Sequence, residues 1–305
     1  MTINFSPLRE VHFSLLLKWF ETPHVKAWWD KGVKWTEQLI KEKYGSYING
    51  FKRFDLADKI IEKPIHAFII HDDEQPIGYI QYYNAYDFPR DGYELNNLPK
   101  SLASIDMFIG DEKYLGKGIG AKSLELFLEN HVLTEFDYAF VDPALTNIFA
   151  IESYSKAGFK IIRSSSKEQV FWMLRGRQLS SKSENTTFNQ LAMREPLFHH
   201  PDKCGTTKKD LLNLTSEGFW EVGASGRVYT REDVIETLLQ RYNDPDYIDI
   251  WEAKDFDLLA ISPDNYLITY ILIQDENRIT RRSTIWQKVN DSWVIIYHQG
   301  TVVEE

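Results

Sequence analysis

The segment from Ile105 to His131 constrains the fold of this chain more than any other part of the sequence. It reads IDMFIGDEKYLGKGIGAKSLELFLENH, an apolar strand-like stretch followed by closely spaced glycines and an amphipathic run. Glycines adopt left-handed conformations and let a backbone approach a ligand closely. N–H groups in the first turn of the next helix bind phosphate oxygens. We therefore predict a strand, a glycine-rich turn and a helix whose N-terminus faces a phosphate-bearing ligand.

Two common phosphate-binding motifs do not fit this segment. A Walker loop ends in Gly-Lys-Ser/Thr, which residues 115–122 lack. A Rossmann fingerprint belongs to a βαβ unit, and Asp137 stands at about the distance of its acidic residue. The preceding stretches Ala67–His71 and Ile77–Tyr83, however, are expected to pair as an antiparallel hairpin around residues 72–75. A glycine-rich helix start without any ligand is the remaining alternative.

Strands and helices alternate over the first 177 residues. The run Glu10–Phe20 is amphipathic and predicts a helix with Leu15, Leu16, Trp19 and Phe20 on one face. Gly158 is a typical helix-stop residue after the run Ile148–Ala157. The other predicted elements are a helix at Gly118–His131 and strands at Ser104–Ile109, Tyr138–Val141, Phe159–Ile162 and Val170–Leu174.

The second part of the chain follows a different order of elements. Residues 178–190 are polar and predict a linker between a domain at 1–177 and one at 191–305. We expect a helix at Arg194–Leu214, interrupted near Pro201, then the stretch Gly218–Gly223, a turn at Ser225-Gly226, a helix at Arg231–Tyr242 and three or four long strands. Those strands include Tyr266–Ile273 and Trp293–Tyr297, with a turn at Asp264-Asn265. Helices followed by an antiparallel meander predict an α+β fold.

Composition excludes several classes of protein. The net charge is −10, but residues 1–177 carry 22 basic and 24 acidic side chains against 13 and 21 in the remainder. The acidic excess therefore lies mostly outside the glycine motif and says little about a substrate. The sequence has no stripe of basic residues that would indicate nucleic-acid binding. No apolar run reaches the roughly 20 residues that a membrane-spanning helix needs. With one cysteine, Cys204, and no signal-peptide pattern, we expect a cytoplasmic protein.

A second motif begins about 35 residues after the glycine turn and reads DPALTNIFAIESYSKAGF from Asp142 to Phe159. The two motifs together resemble those of the GNAT superfamily of N-acetyltransferases. In that superfamily the first motif is Arg/Gln-x-x-Gly-x-Gly/Ala, and Leu115 stands at its first place here. The resemblance implies an α/β fold, with a mixed, mainly antiparallel, splayed sheet flanked by helices. It also implies acetyl-CoA as the acetyl donor, with no metal.

The same resemblance assigns roles to individual residues. Tyr154 matches the tyrosine whose hydroxyl protonates the leaving thiolate, although a tyrosine near a helix end more often serves packing. Backbone N–H groups of Phe108 and its neighbours would bind the thioester oxygen. The implied cofactor-binding residues are Met107, Phe108, Ile109, Leu115, Gly116, Lys117, Gly118, Ile119, Gly120, Asn147 and Tyr154.

From about Leu15 to Arg177 the chain is most similar to aminoglycoside 6'-N-acetyltransferases. The matches comprise Trp19, Pro23-His24-Val25, Trp28-Trp29, Pro76–Tyr83, Ile105–Gly110, Asp142-Pro143 and Asn147. In that family the acid that starts the FIG strand binds the ammonium group and accepts its proton, which makes Asp106 the expected catalytic base. The implied substrate-binding residues are Trp29, Gln81, Tyr83, Glu94, Asp106 and Asp142. The acceptor is then a small polyamine, an aminoglycoside in the first place.

Several alternatives stay open at this point. Asp106 fits a strand-end residue bonded to backbone, and Trp28-Trp29 fit core aromatics. The loop from Tyr83 to Leu102 carries few acids for a polycationic substrate: Asp87, Asp91 and Glu94, offset by Arg90 and Lys100. The rival family acylates N6-hydroxylysine in siderophore synthesis and shares the Trp…Pro-His-Val…Trp start, but its hairpin strand tends to carry Glu and Trp where this chain has Gln81 and Tyr83.

Residues 191–305 are similar to the nuclear transport factor 2-like (SnoaL-like) superfamily. The resemblance rests on Gly218–Gly223, Ser225–Thr230, Arg231–Val234, Arg282–Trp286 and Trp293–Thr301. It implies a cone-shaped α+β barrel with a pocket, which His298, Trp220 and Trp286 would line unless they belong to the core. Such folds serve many functions, so we expect an interaction module, with a homodimer formed through it. His199, His200 and Cys204 do not have the spacing of a zinc site.

Overall fold

The computed structural model describes residues 2–56, 59–89, 93–177, 182–200, 205–275 and 277–303. The chain forms two compact units. Unit 1 comprises Met1–Val141, Asn147–Phe159 and Leu174–Lys182, whereas unit 2 comprises Asp142–Thr146, Lys160–Met173 and Ser183–Glu305. The chain thus passes between the units more than once, and a single boundary at residue 177 stays a prediction.

Unit 1 contains one mixed sheet and a separate hairpin. The strands are β1 (Ile3–Pro7), β2 (Phe51–Leu56), β3 (Lys59–Pro64), β4 (His66–Asp72), β5 (Gln75–Asn84), β6 (Leu102–Ile109) and β7 (Tyr138–Val141). The sheet order is β1-β4-β5-β6-β7, and β2 pairs with β3 in the hairpin. All pairs in the sheet are antiparallel except β6 with β7, which is parallel. The prediction of a mixed, mainly antiparallel sheet is confirmed.

The sheet splays apart between β6 and β7. Strand β7 is in register with β6 at three positions only, ending at Ser104↔Phe140. Strand β5 follows β6 much further, to Gly78↔Ile109. From Ile105 onward, β6 therefore has a ladder partner on one side only among the residues that the structure describes. The other edge of β6 is open.

The helices of unit 1 cover both faces of its sheet. They are α1 (Phe13–Phe20), α2 (Pro23–Lys26), α3 (Glu37–Tyr44), α4 (Ile119–Phe127), α5 (Leu133–Glu135) and α6 (Ile148–Lys156), with 3-10 turns at Glu10–His12, Tyr47–Asn49, Ala85–Asp87 and Glu112–Tyr114 and a π turn at Leu128–Val132. On one face, the ring of Phe127 in α4 contacts Phe5, Phe68 and Tyr82. On the other face, α1 contributes Phe20, whose ring contacts Phe108.

The predicted elements around the two motifs are confirmed with small shifts of their ends. Strand β1, the β2–β3 hairpin and helix α3 were not predicted. The edge strand is short, and none of the hairpin residues whose burial is described is fully buried, so both show little hydrophobic alternation and pattern reading misses them. The segment that folds as α3, EQLIKEKY, buries only Ile40 and Tyr44 and has the same weakness.

Unit 2 is dominated by long antiparallel strands. Its elements are β8 (Lys160–Ser165), β9 (Val170–Gly176), α7 (Lys182–Ala192), α8 (Lys208–Leu214), β10 (Thr215–Val222), β11 (Val228–Thr230), α9 (Arg231–Tyr242), β12 (Trp251–Ser262), β13 (Asn265–Gln274), β14 (Arg278–Val289) and β15 (Ser292–Val302). Strand β8 joins β12, and the order continues β13-β14-β15-β10-β11. Only the β10–β15 pair is parallel in that order. The predicted meander, the helix at 231–242 and the turn at Asp264 are confirmed.

Two predictions in this region need correction. The helix predicted at Arg194–Leu214, interrupted near Pro201, is confirmed only at its end: residues 193–200 form turns, and α8 covers Lys208–Leu214. Proline at position 196 has no N–H to donate, and Thr207 then starts α8 with a capping box to Asp210. Residues 182–190 of the predicted linker are helical, since they belong to α7. Asn189 there is buried and accepts a 2.9 Å bond from Ile161 N. Pro201 and Cys204 lie outside the described residues.

Among the residues that the structure describes, no helix has both the length and the apolar character needed to cross a membrane.

Candidate active site

The glycine turn ends in an uncapped helix N-terminus. Gly116 and Gly118 have φ values of +69° and +74°, a left-handed conformation that glycine adopts without steric cost. A Cβ on either residue would meet no atom within 4 Å, so the space around the turn is open. Gly118 is the N-cap of α4 and supplies no side-chain acceptor to the first-turn N–H groups. These N–H groups are therefore directed at whatever anion enters the turn.

The open edge of β6 presents backbone N–H groups beside this turn. Gly110 N–H donates to Ile77 O at 2.8 Å, which shows that even-numbered residues of β6 face β5. His24 Nε2 donates to Ile109 O at 2.8 Å, so Ile109 faces away from β5. Because N–H groups alternate along a strand, Met107 and Ile109 direct theirs to the open edge. The N–H of Phe108, predicted to bind the thioester oxygen, faces β5 instead.

Asp106 is held by a short chain of hydrogen bonds across β5 and β6. Gln81 is its partner in register, and Gln81 Nε2 donates to Asp106 Oδ2 at 2.7 Å. Tyr79 OH in turn donates to Gln81 Oε1 at 2.7 Å. Burial raises the pKa of Tyr79 well above its ordinary range, and the negative charge of Asp106 adds to the effect. Tyr79 is therefore a neutral donor that orients Gln81 toward the carboxylate.

A cavity of about 400 Å³ lies on the same face of the sheet as Asp106. Four predicted substrate residues line it together: Trp29, Gln81, Tyr83 and Asp106. Pattern reading missed the other lining residues, Asp30, Lys43, Tyr47, Lys52, Phe54, Phe88 and Pro89, while Trp28 had been left open as a core residue. Trp28 is 40% exposed and is therefore a wall of this cavity, which we call the acceptor pocket, and not core.

The acceptor pocket has a rigid aromatic wall. The Trp29 ring lies 4.9 Å from the Phe108 ring and 5.8 Å from the Tyr79 ring, and its Nε1 donates to Tyr44 OH at 3.2 Å. Burial raises the pKa of Tyr44 and Tyr47, and the charges of Asp30 and Asp106 raise it further. These phenols stay protonated at neutral pH and supply neutral polar contacts.

Charges of both signs surround the acceptor pocket. Lys43 Nζ lies 2.7 Å from Asp30 Oδ2, which balances one of the two carboxylates. Lys52 Nζ lies 4.6 Å from the centre of the Phe88 ring and 5.6 Å from that of Tyr83, within the range of cation–π contacts. Besides the Lys43–Asp30 pair, the lining therefore carries the carboxylate of Asp106 and the ammonium group of Lys52, one charge of each sign.

A family model for the acetyltransferase (GNAT) domain matches residues 9–166, more than half of the chain. The chain belongs to the GNAT acetyltransferase family. Two curated relatives, aminoglycoside N(6')-acetyltransferases type 1 from Klebsiella pneumoniae and Serratia marcescens, are each 26% identical over 164 residues, which cover 52% of this chain and 74% of theirs.

Solved structures similar to this acetyltransferase include AAC(6')-Ib. In its complex with paromomycin and acetyl-CoA it is 24% identical, covers 61% of this chain and 98% of its own, and has a TM-score of 0.49. In its complex with coenzyme A and kanamycin the identity is also 24%, the coverage is 61% and 99%, and the TM-score is 0.47.

The GNAT protein described here is an acetyl-CoA-dependent N-acetyltransferase. The geometry of unit 1 fits that donor, because left-handed glycines and an uncapped helix leave room and N–H donors for a pyrophosphate. The thioester supplies an activated acyl carbon. Ile119 and Gly120 open α4, and a Cβ on Gly120 would lie 3.7 Å from Ser153 Oγ of α6. The loop residues Leu115 and Lys117 are exposed beside them.

The remaining predicted site residues have separate positions. Asn147 is the N-cap of α6, and its Oδ1 accepts a 3.2 Å bond from Ala150 N, so a cofactor contact would come from its amide NH₂. Tyr154 is half-buried on the same helix, with its ring 5.9 Å from that of Phe159. Glu94 is exposed and is not among the residues that line the acceptor pocket. Asp142 directly follows β7 and belongs to unit 2.

Within the described part of the chain, no group of three or more His, Cys, Asp or Glu side chains is arranged to hold a metal ion. His199 instead directs its Nδ1 to Asp249 Oδ2 at 2.7 Å, and His200 Nε2 donates to the backbone of Glu195 at 2.8 Å.

Proposed function

We propose that this acetyltransferase transfers acetyl from acetyl-CoA to a primary amine of an aminoglycoside, at its 6'-amino group. The observation that carries the proposal is the position of Asp106, on the wall of the acceptor pocket and one residue from the open-edge N–H of Met107. The similarity to aminoglycoside N(6')-acetyltransferases supports the acceptor class.

In this mechanism Asp106 acts first on the acceptor. It binds the ammonium group and accepts one proton, which leaves a neutral amine. The amine nitrogen forms a bond to the thioester carbon while the carbon–sulfur bond breaks, directly and without an acyl-enzyme. The N–H groups of Met107 and Ile109 stabilise the negative charge that develops on the acyl oxygen. Tyr154 donates its hydroxyl proton to the leaving thiolate, and the tyrosinate is reprotonated from water. The acylated nitrogen loses its second proton to water, and Asp106 releases the first proton to solvent.

The other predicted substrate residues enter the proposal with different support. Trp29 and Tyr83 line the acceptor pocket and offer aromatic rings to a sugar ring, and Gln81 orients the base. Glu94 and Asp142 are proposed to bind further amines of the acceptor. Both carboxylates lie outside the pocket lining, so this assignment rests on the family resemblance alone.

The lysines of the acceptor pocket favour a second candidate acceptor, N6-hydroxylysine. An amino acid carries a carboxylate that Lys52 or Lys43 would bind, whereas an aminoglycoside carries only amines and hydroxyls. Asp106 would have the same role toward the hydroxylamino group. Both candidate acceptors would therefore use Asp106 as the base. Only N6-hydroxylysine would use a lysine of the pocket, to bind its carboxylate.

One experiment separates the candidates. Release of free thiol from acetyl-CoA is measured with kanamycin, tobramycin and N6-hydroxylysine. NMR of the kanamycin product then shows which amino group carries the acetyl group. Lys52→Met is expected to leave KM for kanamycin unchanged or lower it, and Lys122→Met, on the exposed side of α4, serves as the control. Turnover of hydroxylysine alone, with a raised KM in Lys52→Met, would replace the aminoglycoside proposal.

We also propose that residues 191–305 form a nuclear transport factor 2-like cone and that two copies of the chain associate through it. The long strands β12 to β15, with α9 lining a cavity between these elements, support the cone. Light scattering on the full chain tests the association, because a monomer at all concentrations contradicts it. A cytoplasmic location remains a prediction from composition.

A further inference from the structure

Unit 2 contains a second cavity of about 400 Å³. Residues of α9, β10, β13, β14 and β15 line it, together with the turn at residues 197–199. Its titratable and charged lining residues are Arg241, Arg278, Arg282, Glu221, His199, His298 and Tyr229. Nothing in the acetyl-transfer mechanism uses this cavity. Its volume lies within the range of small-molecule sites.

The cavity carries an excess of positive charge. Among the residues that the structure describes, none of the three arginines forms an ion pair with a carboxylate. Glu221 is the one acidic residue of the lining, and burial raises its pKa although Arg282 and Arg241 lower it. His199 is already engaged by Asp249 outside the lining. Three guanidinium groups against the one carboxyl group of Glu221 leave the lining with an excess of positive charge for an anionic ligand.

Arg282 is held in place by acceptors that are all neutral. Its Nε donates to Thr280 Oγ1 at 2.9 Å, its Nη2 to Gln274 Oε1 at 3.2 Å and its Nη1 to His298 Nε2 at 3.4 Å. Burial lowers the pKa of His298 well below its ordinary value, and the charge of Arg282 lowers it further, so the imidazole is neutral. A guanidinium has five N–H donors, and three bonds leave two for a ligand.

A chain of hydrogen bonds behind His298 fixes this arrangement. His298 Nδ1 lies 2.9 Å from Thr284 Oγ1, and Thr284 bonds to Glu195. Glu195 is fully buried and accepts bonds of 2.9 Å from Tyr270 OH and Trp286 Nε1. The chain sets which nitrogen of His298 carries hydrogen, and thereby keeps Nε2 as an acceptor for Arg282. A guanidinium fork fixed in this way matches the geometry of a carboxylate.

Part of the lining is apolar. Leu197, Phe198, Val234 and Leu238 are buried and face the same cavity. A fully hydrated inorganic ion gains nothing from such a wall, whereas the hydrocarbon part of an organic acid does. Arg241 and the exposed Arg278 add positive charge to the lining.

We propose that the unit 2 cavity is a binding site for a small organic carboxylate, with Arg282 as its principal contact and the apolar residues of α9 and the 197–198 turn against its hydrocarbon part. The site is independent of the acetyl-transfer site and of the proposed acceptor. Glu195, Thr284 and His298 are positioning residues for Arg282.

The test uses the full chain and a panel of benzoate, phenylacetate and hexanoate, with the matched amides and inorganic phosphate as comparisons. Binding is followed by ligand-observed NMR and by the thermal midpoint. At least one acid is expected to bind saturably, and its amide and phosphate to bind at least tenfold more weakly. Arg282→Gln and Arg282→Lys are expected to weaken that acid at least tenfold, because neither retains the fork.

Arg281→Gln is the matched control, since Arg281 is exposed on the same strand and does not line the cavity. If Arg282→Gln lowers the thermal midpoint, Arg241→Gln supplies a second variant. Arg241 contacts the exposed ring of Tyr247, and we expect the loss of this contact to cost little stability. Failure of every acid to bind, equal binding of phosphate, or equal loss in Arg281→Gln overturns the proposal.

Discussion

Replacement of Asp106 by asparagine tests the central step of the acetyl transfer most directly. The asparagine would keep the size of the side chain, and its oxygen would still accept the bond from Gln81 Nε2, which is 2.7 Å long in the native protein. The substitution removes the negative charge and the ability to accept a proton. It therefore separates the chemistry of Asp106 from its place in the hydrogen-bonded chain with Gln81 and Tyr79.

The expected magnitudes differ for stability and for rate. Exchange of a charged for a neutral hydrogen bond at a half-exposed site costs about 1 kcal/mol of unfolding free energy, and the thermal midpoint falls by about 2–4 °C. Loss of a general base costs about 100- to 10,000-fold in kcat/KM, or about 2.7–5.5 kcal/mol of transition-state stabilisation. The rate effect thus exceeds the stability effect.

The assay is free-thiol release at saturating acetyl-CoA, with the acceptor varied and the folded state checked by the thermal midpoint. Asp137→Asn is the control, because Asp137 is exposed and its 3.3 Å pair with Arg177 is a surface contact worth little. A kcat/KM within about threefold of wild type, under about 0.7 kcal/mol, would show that Asp106 is not the base.

Three further substitutions test other parts of the molecule. Gly118→Ala, at φ +74°, is expected to cost about 1–2 kcal/mol and to raise KM for acetyl-CoA more than KM for the acceptor, as initial rates will show. Tyr154→Phe is expected to lower kcat about tenfold or more with little change in KM; an unchanged kcat means another group protonates the thiolate. Glu221→Gln is expected to raise the thermal midpoint at pH 7.5 but not at pH 4. Because the pKa of Glu221 is raised in the folded protein, folding favours the protonated carboxyl group. The stability of the native protein therefore falls as pH rises through this pKa, and glutamine, which does not ionise, does not show that fall. Equal shifts at both pH values would contradict that reasoning.

Local sequence accounts well for the donor side of the enzyme. Left-handed glycines at positions 116 and 118, an apolar strand before them and an amphipathic run after them require no distant partner to be recognised. The same holds for the helix from Arg231 to Tyr242, whose capping box of Thr230 and Asp233 lies within four residues. Each of these features depends on backbone conformation and short-range bonds, which neighbouring residues determine.

The acceptor side was decided by tertiary structure. Asp30, Lys43 and Lys52 reach the acceptor pocket from a turn, a helix and a hairpin strand, and no spacing in the sequence relates them to Asp106. The alternation of Lys52 and Phe54 was the one local signal that they share a face. The open edge of β6 likewise depends on where the pairing with β7 stops; the N–H groups of Met107 and Ile109, and not that of Phe108, face this edge.

The same division applies to unit 2. Trp286 and His298 were expected to line a pocket or belong to the core, and composition alone did not decide between them. In the fold Trp286 belongs to the core, whereas His298 lines the unit 2 cavity and joins the hydrogen-bonded chain that links buried Glu195 to Arg282. A residue's type and its immediate neighbours determine helices, turns and glycine conformations. Which charges face each other across a cavity depends on strand order and register, and these arise only when distant segments pack together.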